Sequence, residues 1–306
     1  MDHSVVDRIN NEAAQIAHSL KLDEKIEKME MNEAYITIKD HKENFPTRVS
    51  CRLINPAKSQ IGKVSKKILE KINKEIRSKI GAQQWRSTSD TLKWFNELQK
   101  KENLNFIQFD IEQFYPSISK QLLTRAINYA RSVTTITDAE ERIIIHSRKS
   151  VLVKNGNIWV KKIEEDFDTT MGCYDGAEMA ELVGLFLLFL LSQFIPTDKV
   201  GLYRDDGLAV VQGRPQVAEK LTQDIRRIFL NEGLRITVEP SSKSANFLDV
   251  SLNLQEKTFH PFTKPNANIN YMSSKSNHPP VVVKNLTHGM VHKKCLTNTK
   301  TVNKLP

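Results

Sequence analysis

Two acidic sites, each set among apolar residues, restrict the fold of this chain more than any other feature. One is GLYRDDGLAVV, residues 201–211, in which Asp205 and Asp206 separate two apolar runs. The runs predict two short strands with the acids at the tip of a hairpin, where Gly207 is free to take the positive φ of a turn. A plain surface turn and a rigid metal-binding hairpin both fit this stretch.

The second acidic site is NFIQFDI, residues 105–111, an apolar run that predicts a buried strand with Asp110 near its end. A carboxylate in such a place is costly unless a charged group binds it, although a single aspartate after a strand is usually a cap or a turn residue. Two such sites in one chain favour a shared role. On adjacent strand ends, Asp110, Asp205 and Asp206 could hold two Mg²⁺ ions about 4 Å apart, as phosphoryl transfer requires.

The rest of the chain predicts helices and hairpins in alternation, which is typical of an α+β fold. A helical segment at 1–33 precedes predicted strands at 34–42, 49–56, 105–111, 234–239 and 246–254, and predicted helices at 58–80, 89–101, 119–132, 137–150, 176–195 and 215–232. VLVKNGNIWVKK, residues 151–162, contains the Asn-Gly pair of a tight hairpin turn. Thr137 and Asp138 are candidates for a helix N-cap.

Basic charge is concentrated in two parts of the chain, whose 306 residues have a net charge of +9. Residues 58–80 carry eight Lys or Arg against two Glu, and residues 257–306 carry eight lysines and no acid. Apolar positions at i, i+4 spacing in the first tract predict an amphipathic helix with a basic outer face, namely Val64, Ile68, Ile72, Ile76 and Ile80. The two basic tracts could be a solvated helix and a frayed tail. Alternatively, they could be two surfaces that bind a polyanion.

Cysteine usage and hydropathy indicate where such a chain acts. The three cysteines (Cys51, Cys173 and Cys295) are odd in number and far apart, so no disulfide framework is predicted and a reducing compartment is expected. The N-terminus has no apolar core of a secretory signal. The longest apolar stretch without charge, 182–197, is short for a bilayer and predicts a buried helix. We expect an intracellular protein, in the nucleus or the cytoplasm, without membrane contact.

Five stretches, taken together and in order, resemble the motifs of reverse transcriptases. FDIEQFYPSI, which contains Asp110, resembles motif A, and YRDD resembles the YxDD box of motif C. MGCYDGAE at 171–178 is placed like motif B, GLRITVEPSSKSANFLDV at 233–250 resembles motifs D and E, and IKDHKENFPTRVSCRLINP resembles the fingers hairpin. The resemblance spans about residues 34–292. KDHK, the FLD strand and YMSSKSNHPP at 271–280 are most similar to Penelope-like and related eukaryotic retroelements.

The resemblance implies an α+β right-hand polymerase fold with palm and fingers, an antiparallel palm sheet, and a thumb that is partial or missing. The implied domains are an N-terminal helical segment at 1–33, fingers with the basic helix at 34–104, a palm at 105–255, and a basic tail at 256–306 that begins a truncated thumb. The implied activity is RNA-directed DNA polymerisation on an RNA template and a DNA primer with dNTPs. No protein partner can be inferred.

Residue roles follow from the same resemblance. Asp110 and Asp205 would bind two Mg²⁺ ions, or Mn²⁺, with Asp206 as the weaker ligand and the Ile111 carbonyl as a further donor. Tyr115 matches the steric gate that excludes a ribose 2′-hydroxyl, and a core aromatic in a turn is its alternative. At the nucleotide, Gly172 would approach the templating base pair. Arg52, which we expect to be buried in an apolar strand, would bind phosphate together with Lys39. Lys243 would protonate the leaving group, with an ordinary surface lysine as the alternative.

Nucleic-acid contacts are predicted for three lysines of the basic helix, Lys63, Lys66 and Lys67, and for Tyr203 of the YRDD box. Phe247 and Leu248 resemble the primer grip, with an ordinary sheet strand as the alternative. The spacing of His288, His292 and Cys295 is compatible with zinc, but only three ligands are near and a basic tail is the preferred interpretation. Two other functions stay open, namely an inactive or truncated nucleic-acid-binding module and an RNA-dependent RNA polymerase.

Overall fold

The computed structural model describes residues 4–22, 28–39, 45, 47–160, 167–169 and 171–263. Its helices are α1 Ser4–Ser19, α2 Ile61–Ile80, α3 Thr88–Glu97, α4 Phe114–Ser117, α5 Lys120–Val133, α6 Asp138–His146, α7 Gly176–Ser192 and α8 Pro215–Asn231. Its strands are β1 Tyr35–Ile38, β2 Cys51–Ile54, β3 Gln83–Gln84, β4 Leu104–Ile111, β5 Leu152–Lys154, β6 Asn157–Trp159, β7 Val200–Tyr203, β8 Asp206–Gln212, β9 Ile236–Val238, β10 Ser244–Phe247, β11 Val250–Asn253 and β12 Thr258–Pro261. This mixture confirms the predicted α+β class.

A five-stranded sheet in the order β3-β7-β8-β4-β9 forms the centre of the fold. β4 pairs antiparallel with β8, from Leu104 opposite Gln212 to Asp110 opposite Asp206. β9 pairs antiparallel with the other edge of β4, and β7 pairs antiparallel with β8, whereas β3 is parallel to β7. The sheet that was predicted as antiparallel is therefore mixed, because one short edge strand runs the other way.

The central sheet separates two apolar clusters, since side chains alternate between its faces. On β4, Ile107 and Phe109 pack with residues of α5, α7 and α8, whereas Phe106 packs on the other face with α3 and the β10-β11-β12 sheet. Asp110 is four residues after Phe106 in the same strand, so the two side chains point to the same face. Asp110 therefore lies on the α3 face of the sheet, away from the helices of the larger cluster.

Helix α7 runs through the larger cluster and is apolar on nearly all sides. Leu182, Leu185 and Leu187 have no exposed surface, which confirms the buried helix predicted from the apolar stretch at 182–197. Among the described residues, no helix is both long enough and apolar enough to cross a membrane.

Helix α2 confirms the predicted basic helix, but its buried stripe differs from the expected one. Its buried positions are Ile61, Gly62, Ser65, Leu69, Ile72, Asn73 and Ile76. Val64, Ile68 and Ile80 are only half-buried. Polar residues enter the stripe because they have specific partners: Asn73 Nδ2 donates to the Glu178 carbonyl at 2.8 Å. A pattern of apolar residues alone could not locate such a face.

Two local signals are confirmed, the Asn-Gly turn and the N-cap of α6. Asn155 and Gly156 join β5 to β6 with φ of 50° and 72°, as a type I′ turn requires. Thr137 is the N-cap of α6, and its side chain accepts from the Glu140 amide while the Glu140 side chain accepts from the Thr137 amide.

Strands β1 and β2 form a separate two-stranded hairpin with Tyr35 opposite Ile54 and Ile38 opposite Cys51. Both of its faces are open among the described residues, and Ile36 is 65% exposed. The predicted truncated thumb beyond residue 263, the stretch at 271–280, and His288, His292 and Cys295 lie outside the described residues.

Candidate active site

The register of β4 and β8 places two of the predicted acids side by side. Asp110 and Asp206 are directly opposite each other in the antiparallel pair. Opposite residues point to the same face with Cβ atoms about 4.5–5.5 Å apart, so both carboxylates lie on the α3 face at one end of the sheet. Asp110 is exposed and Asp206 is half-buried, so an ion or a ligand can reach both from solvent.

Asp205, the third acid, lies in the two-residue turn between β7 and β8. Tyr203 opposite Asp206 closes this turn, and its first residue, Arg204, takes a φ of 55°. The Ile111 amide donates to the Asp205 carbonyl oxygen at 2.9 Å, which ties the turn to the end of β4. The three acids therefore share one end of the sheet, two on one face and the third in the adjoining turn.

Gly207 does not have the turn conformation that we expected. It lies in β8 opposite Phe109, and the positive φ belongs to Arg204. A β-carbon on Gly207 would lie 2.1 Å from the Phe109 ring, so glycine is needed for close packing rather than for the turn. Phe109 in turn contacts Phe229 of α8, with 5.5 Å between ring centroids. This packing supports the strand directly beneath the acids.

The oxygen donors at this end of the sheet are of the kind that Mg²⁺ prefers. Carboxylates of Asp110 and Asp206 and the carbonyl of Ile111 are hard ligands, and Mg²⁺ commonly takes one or two carboxylates together with water and substrate phosphates. In the part of the chain that the structure describes, no group of three or more His, Cys, Asp or Glu side chains is arranged to hold a metal ion. Binding of Mg²⁺ by Asp110, Asp205 and Asp206 stays a prediction.

Tyr115 lies between the acidic turn and the start of α7. Burial raises the pKa of its phenol above the ordinary value; Arg204 opposes the rise, and the acids Asp205 and Glu178 add to it. A β-carbon at Gly176, the first residue of α7, would lie 3.7 Å from the Tyr115 ring. The neutral phenol therefore borders the acidic end of the sheet while its ring packs against the larger apolar cluster.

The site rests on a buried ion pair that sequence reasoning missed. Arg148 and Asp175 have no exposed surface and form a salt bridge beneath the loop that leads into α7. Ser147 Oγ lies 2.7 Å from Asp175 Oδ2 and accepts from Arg148 Nε at 3.3 Å. Burial lowers the pKa of the Arg148 guanidinium, and neighbouring Cys173 and Asp168 oppose this. No feature of the HSRKS stretch distinguishes Arg148 from Lys149 beside it, so no signal in the sequence could have found it.

Comparisons with known proteins bear on the fold. No protein-family model and no curated protein matches the chain. Among solved structures, it is similar to telomerase from Candida albicans in complex with a telomeric RNA fragment, with 11% identity, a TM-score of 0.56, and coverage of 93% of this chain and 53% of that one. Apo telomerase from Candida tropicalis, truncated from its C-terminal domain, gives 13% identity, a TM-score of 0.51, and coverage of 83% of this chain and 60% of that one.

An RNA-dependent RNA polymerase of a human picobirnavirus is similar to the same degree, with 11% identity, a TM-score of 0.53, and coverage of 83% of this chain and 59% of that one. The chain has a polymerase palm-and-fingers fold. This confirms the predicted fold. After the domains that the sequence predicts, we call the five-stranded sheet the palm sheet and β1–β2 the fingers hairpin. The chain spans between 53% and 60% of the length of these three structures.

Gly172 makes a close backbone contact, but its partner is the fingers hairpin. It has a φ of 126°, and a β-carbon there would lie 2.3 Å from the carbonyl oxygen of Asn55, just after β2. The Asn55 amide donates to the Met171 carbonyl at 2.9 Å. The need for glycine is therefore explained by the end of β2 rather than by a base pair, and a direct role of Gly172 with the nucleotide stays a prediction.

The two predicted phosphate-binding cations lie on the fingers hairpin. Arg52, opposite Thr37, is exposed rather than buried as we expected, because the apolar residues around it are themselves uncovered by the described residues. Lys39 follows β1, and its amide donates to the Ser50 carbonyl at 2.8 Å. Their binding of phosphate stays a prediction.

Lys243 is placed where it cannot serve as predicted. Its Nζ donates to the carbonyl oxygens of Glu102 and Leu104 at 2.7 Å each. Leu104 begins β4 and Asp110 stands six residues further along, a separation of about 20 Å in a strand. Lys243 thus joins the palm sheet to the start of β10 at the opposite end from the acids, so protonation of a leaving group there is excluded by distance.

The expected primer-grip residues differ from each other in exposure. Phe247 is only 1% exposed and packs against Trp85 with 5.4 Å between ring centroids, so its side chain is a core residue, which corrects the prediction of a nucleic-acid contact. Leu248 forms the β10–β11 turn with a φ of 54° and is half-buried. Leu248 and Tyr203 both pack against the α3-side cluster, and their contact with nucleic acid stays a prediction.

The three predicted lysines of α2 have different surroundings. Lys66 Nζ lies 3.5 Å from Glu178 Oε1, so its charge is directed toward α7. Lys63 Nζ lies 5.0 Å from the centroid of the Tyr174 ring, and Lys67 is exposed. Lys63 and Lys67 remain the candidates for contact with a polyanion.

Tyr203 opens onto a cleft of about 220 Å³ beside the acidic turn. Its lining is polar and carries both charges, from Gln84, Trp85, Arg86, Ala177, Glu178, Glu181, Tyr203 and Arg204. Arg204 lies over the Tyr203 ring with 5.8 Å to the centroid. The predicted nucleic-acid contact of Tyr203 is sterically open.

Proposed function

We propose that this protein is an RNA-directed DNA polymerase of a retroelement, which adds deoxynucleotides to a primer 3′-hydroxyl on an RNA template. One observation carries the proposal: within a polymerase fold, the register of β4 and β8 puts Asp110 directly opposite Asp206. The order of motifs supports it, because the stretches that resemble motifs A, B and C supply β4, the loop before α7 and the β7–β8 turn.

Asp110, Asp205 and Asp206 would hold Mg²⁺ or Mn²⁺, with the Ile111 carbonyl as a further donor. When bound, such ions neutralise the charge that develops on a transferred phosphoryl group. The chain itself contributes position, since the Ile111–Asp205 hydrogen bond fixes the acidic turn against β4. The primer 3′-oxygen then forms a bond to the α-phosphorus as the bond to pyrophosphate breaks.

Tyr115 would border the sugar of the incoming nucleotide, since it stands beside both the acidic turn and the start of α7. Lys39 and Arg52 of the fingers would bind the triphosphate. The primer–template would contact Lys63, Lys67 and Tyr203. The reaction would take place inside the cell, in the nucleus or the cytoplasm.

The second candidate function is RNA-dependent RNA polymerisation. The similarity to the picobirnavirus polymerase, with a TM-score of 0.53, is as strong as that to the telomerases. The two functions share the acids and differ in the sugar of the nucleotide. The half-buried ring of Tyr115 beside the site favours the DNA polymerase, because a fixed aromatic ring can exclude a 2′-hydroxyl.

Primer extension tests the proposal. Oligo-dT on poly-rA is incubated with Mg²⁺ and either dTTP or rUTP. The proteins are the wild-type chain, Asp205→Asn, and Asp198→Asn as a control on an exposed side chain. We expect extension with dTTP that requires Mg²⁺ and is lost in Asp205→Asn alone. Equal or better extension with rUTP would favour the RNA polymerase, and retained binding of primer–template without any extension would favour an inactive nucleic-acid-binding module.

Two substitutions at Tyr115 separate the ring from the hydroxyl. Tyr115→Phe keeps the ring, and we expect it to keep the preference for dTTP. Tyr115→Ala removes the ring, and we expect it to gain use of rUTP. A Tyr115→Ala variant that extends with dTTP and still rejects rUTP would refute the proposed role of this ring.

A further inference from the structure

Arg148 is connected to Tyr115 by its side chain. The Arg148 guanidinium is paired with Asp175, the residue that precedes α7. Asp175 makes no side-chain capping bond to α7, but its carbonyl accepts the Met179 amide at 2.9 Å and so begins the helix. The next residue, Gly176, is the one whose β-carbon would meet the Tyr115 ring at 3.7 Å. The ion pair therefore fixes the surface on which this ring rests.

Arg148 is also connected to Tyr115 by its main chain. Its carbonyl oxygen accepts the Asp168 amide at 2.7 Å. The neighbouring Thr169 donates from its hydroxyl to the Tyr115 carbonyl and lies 3.3 Å from the Ile118 carbonyl. A second route thus runs from Arg148 to the backbone of Tyr115, independent of the route to its ring.

The ion pair is part of a buried group that includes two serines, one of α2 and one just after α6. Ser65 of α2 lies 3.2 Å from Ser147 Oγ, which in turn contacts both Arg148 and Asp175. All four residues are buried. A buried ion pair seldom adds net stability over apolar residues of similar volume, although breaking one partner is destabilising. Such a pair can instead specify the geometry of the groups around it.

We propose that Arg148 is a positioning residue for Tyr115, which sets where the ring stands against α7 and thereby the width of the space left for a nucleotide sugar. This inference deepens the proposed function, on which the sugar part of it rests. The position of the ring itself does not depend on that function and can be measured separately.

The matched control is another ion pair with one buried partner. Arg125 of α5 and Glu232, which follows α8, lie 2.9 Å apart, and the Glu232 side chain is 3% exposed. Burial raises the pKa of the Glu232 carboxyl, and Arg125 opposes the rise. This pair contacts the helical side of the palm, and no hydrogen bond described for it leads to Tyr115.

The test compares Arg148→Met/Asp175→Leu, which replaces the pair by apolar residues of similar volume, with Arg125→Met/Glu232→Leu. Arg148→Lys, which keeps the charge and loses the planar fork, serves as the second variant if the first does not fold. Proteins are labelled with 3-fluorotyrosine, and the resonance of residue 115 among the six tyrosines is assigned with Tyr115→Phe. Thermal unfolding, the ¹⁹F spectrum and the ratio of kcat/KM for dTTP over rUTP are measured for each.

We expect the Arg148 variants to move the ¹⁹F resonance of Tyr115 and to lower the dTTP/rUTP ratio by about tenfold or more, as small misplacements at a reacting centre do. The control pair should leave both unchanged at a similar melting temperature. A folded Arg148 variant with an unmoved Tyr115 resonance and an unchanged ratio would overturn the inference. Absence of extension in the wild type would refute the polymerase instead, and the ¹⁹F spectra alone would then decide whether Arg148 positions the ring.

Discussion

The main-chain amide of Ile111 donates to the carbonyl oxygen of Asp205 at 2.9 Å. This bond joins the last residue of β4 to the acidic turn, so two acidic stretches that are distant in sequence meet at one end of the palm sheet. Because main-chain bonds hold this end, we expect that the carboxylates can be neutralised without moving it.

Neutralising Asp110 or Asp206 should therefore weaken metal binding while leaving the fold intact. We expect each of Asp110→Asn and Asp206→Asn to raise the Kd for Mn²⁺, measured by electron paramagnetic resonance, by at least about tenfold, since even outer-shell partners of a metal contribute that much. Asp198→Asn, on an exposed side chain, is the control. Unchanged Mn²⁺ affinity in both variants would mean that these acids do not share an ion.

Gly207→Ala should destabilise the palm, because the added β-carbon would lie 2.1 Å from the Phe109 ring. We expect a loss of about 1–3 kcal/mol in the free energy of unfolding, the usual cost of overpacking, measured with urea. Gly62→Ala, where the nearest contact is 3.4 Å, is the matched control and should be close to neutral. A second substitution, Phe109→Leu, should recover part of the loss, and no recovery would point to backbone strain instead.

Removing the charges of Lys63 and Lys67 should reduce the salt dependence of nucleic-acid binding. For a single strand, the slope of log K against log salt becomes shallower by about 0.7 for each phosphate that a lysine no longer neutralises. Lys66→Gln should have the smaller effect, because Lys66 lies 3.5 Å from Glu178. Lys93→Gln/Lys220→Gln removes equal charge from exposed sites elsewhere, and an equal change in slope there would show that only net charge matters.

Glu30 should make stability depend on pH. Hydrogen bonds from Tyr174 and Gln60 to Glu30 outweigh desolvation, and with nearby lysines they lower the pKa of its carboxyl below 4.5. A lowered pKa in the folded state gives stabilisation that is present above the ordinary pKa and is lost as the pH falls through the lowered value. Glu30→Gln should thus lower the melting temperature at pH 7, with a difference that shrinks below pH 4.5. A difference in melting temperature that is the same at pH 7 and below pH 4.5 would contradict this role of Glu30.

Much of the palm could be predicted from the sequence because its signals are local. The apolar runs around Asp110 and Asp206 identify β4 and β8, and the Asn-Gly pair identifies the β5–β6 turn. These signals depend on residue types and spacing alone. The meeting of the acids was predicted only as a convergence on adjacent strand ends, and the register that puts Asp110 opposite Asp206 comes from the structure.

Other features depend on contacts between distant residues and left no pattern to interpret. The edge strand Gln83–Gln84 has no apolar alternation, since it is held by pairing with β7. Lys243 resembles any surface lysine until its two carbonyl partners are seen. Gly207 has the sequence context of a turn, and only the Phe109 ring across the strand explains it.

The contact between Gly172 and Asn55 has a mechanical consequence. The loop before α7 and the end of β2 are joined by the hydrogen bond from Asn55 to Met171, and they lie too close together for a methyl group to fit between them. Because of this close contact, β2 can tilt toward an incoming ligand only if the loop before α7 moves with it. A movement of the fingers hairpin would then also shift the start of α7, against which the Tyr115 ring packs.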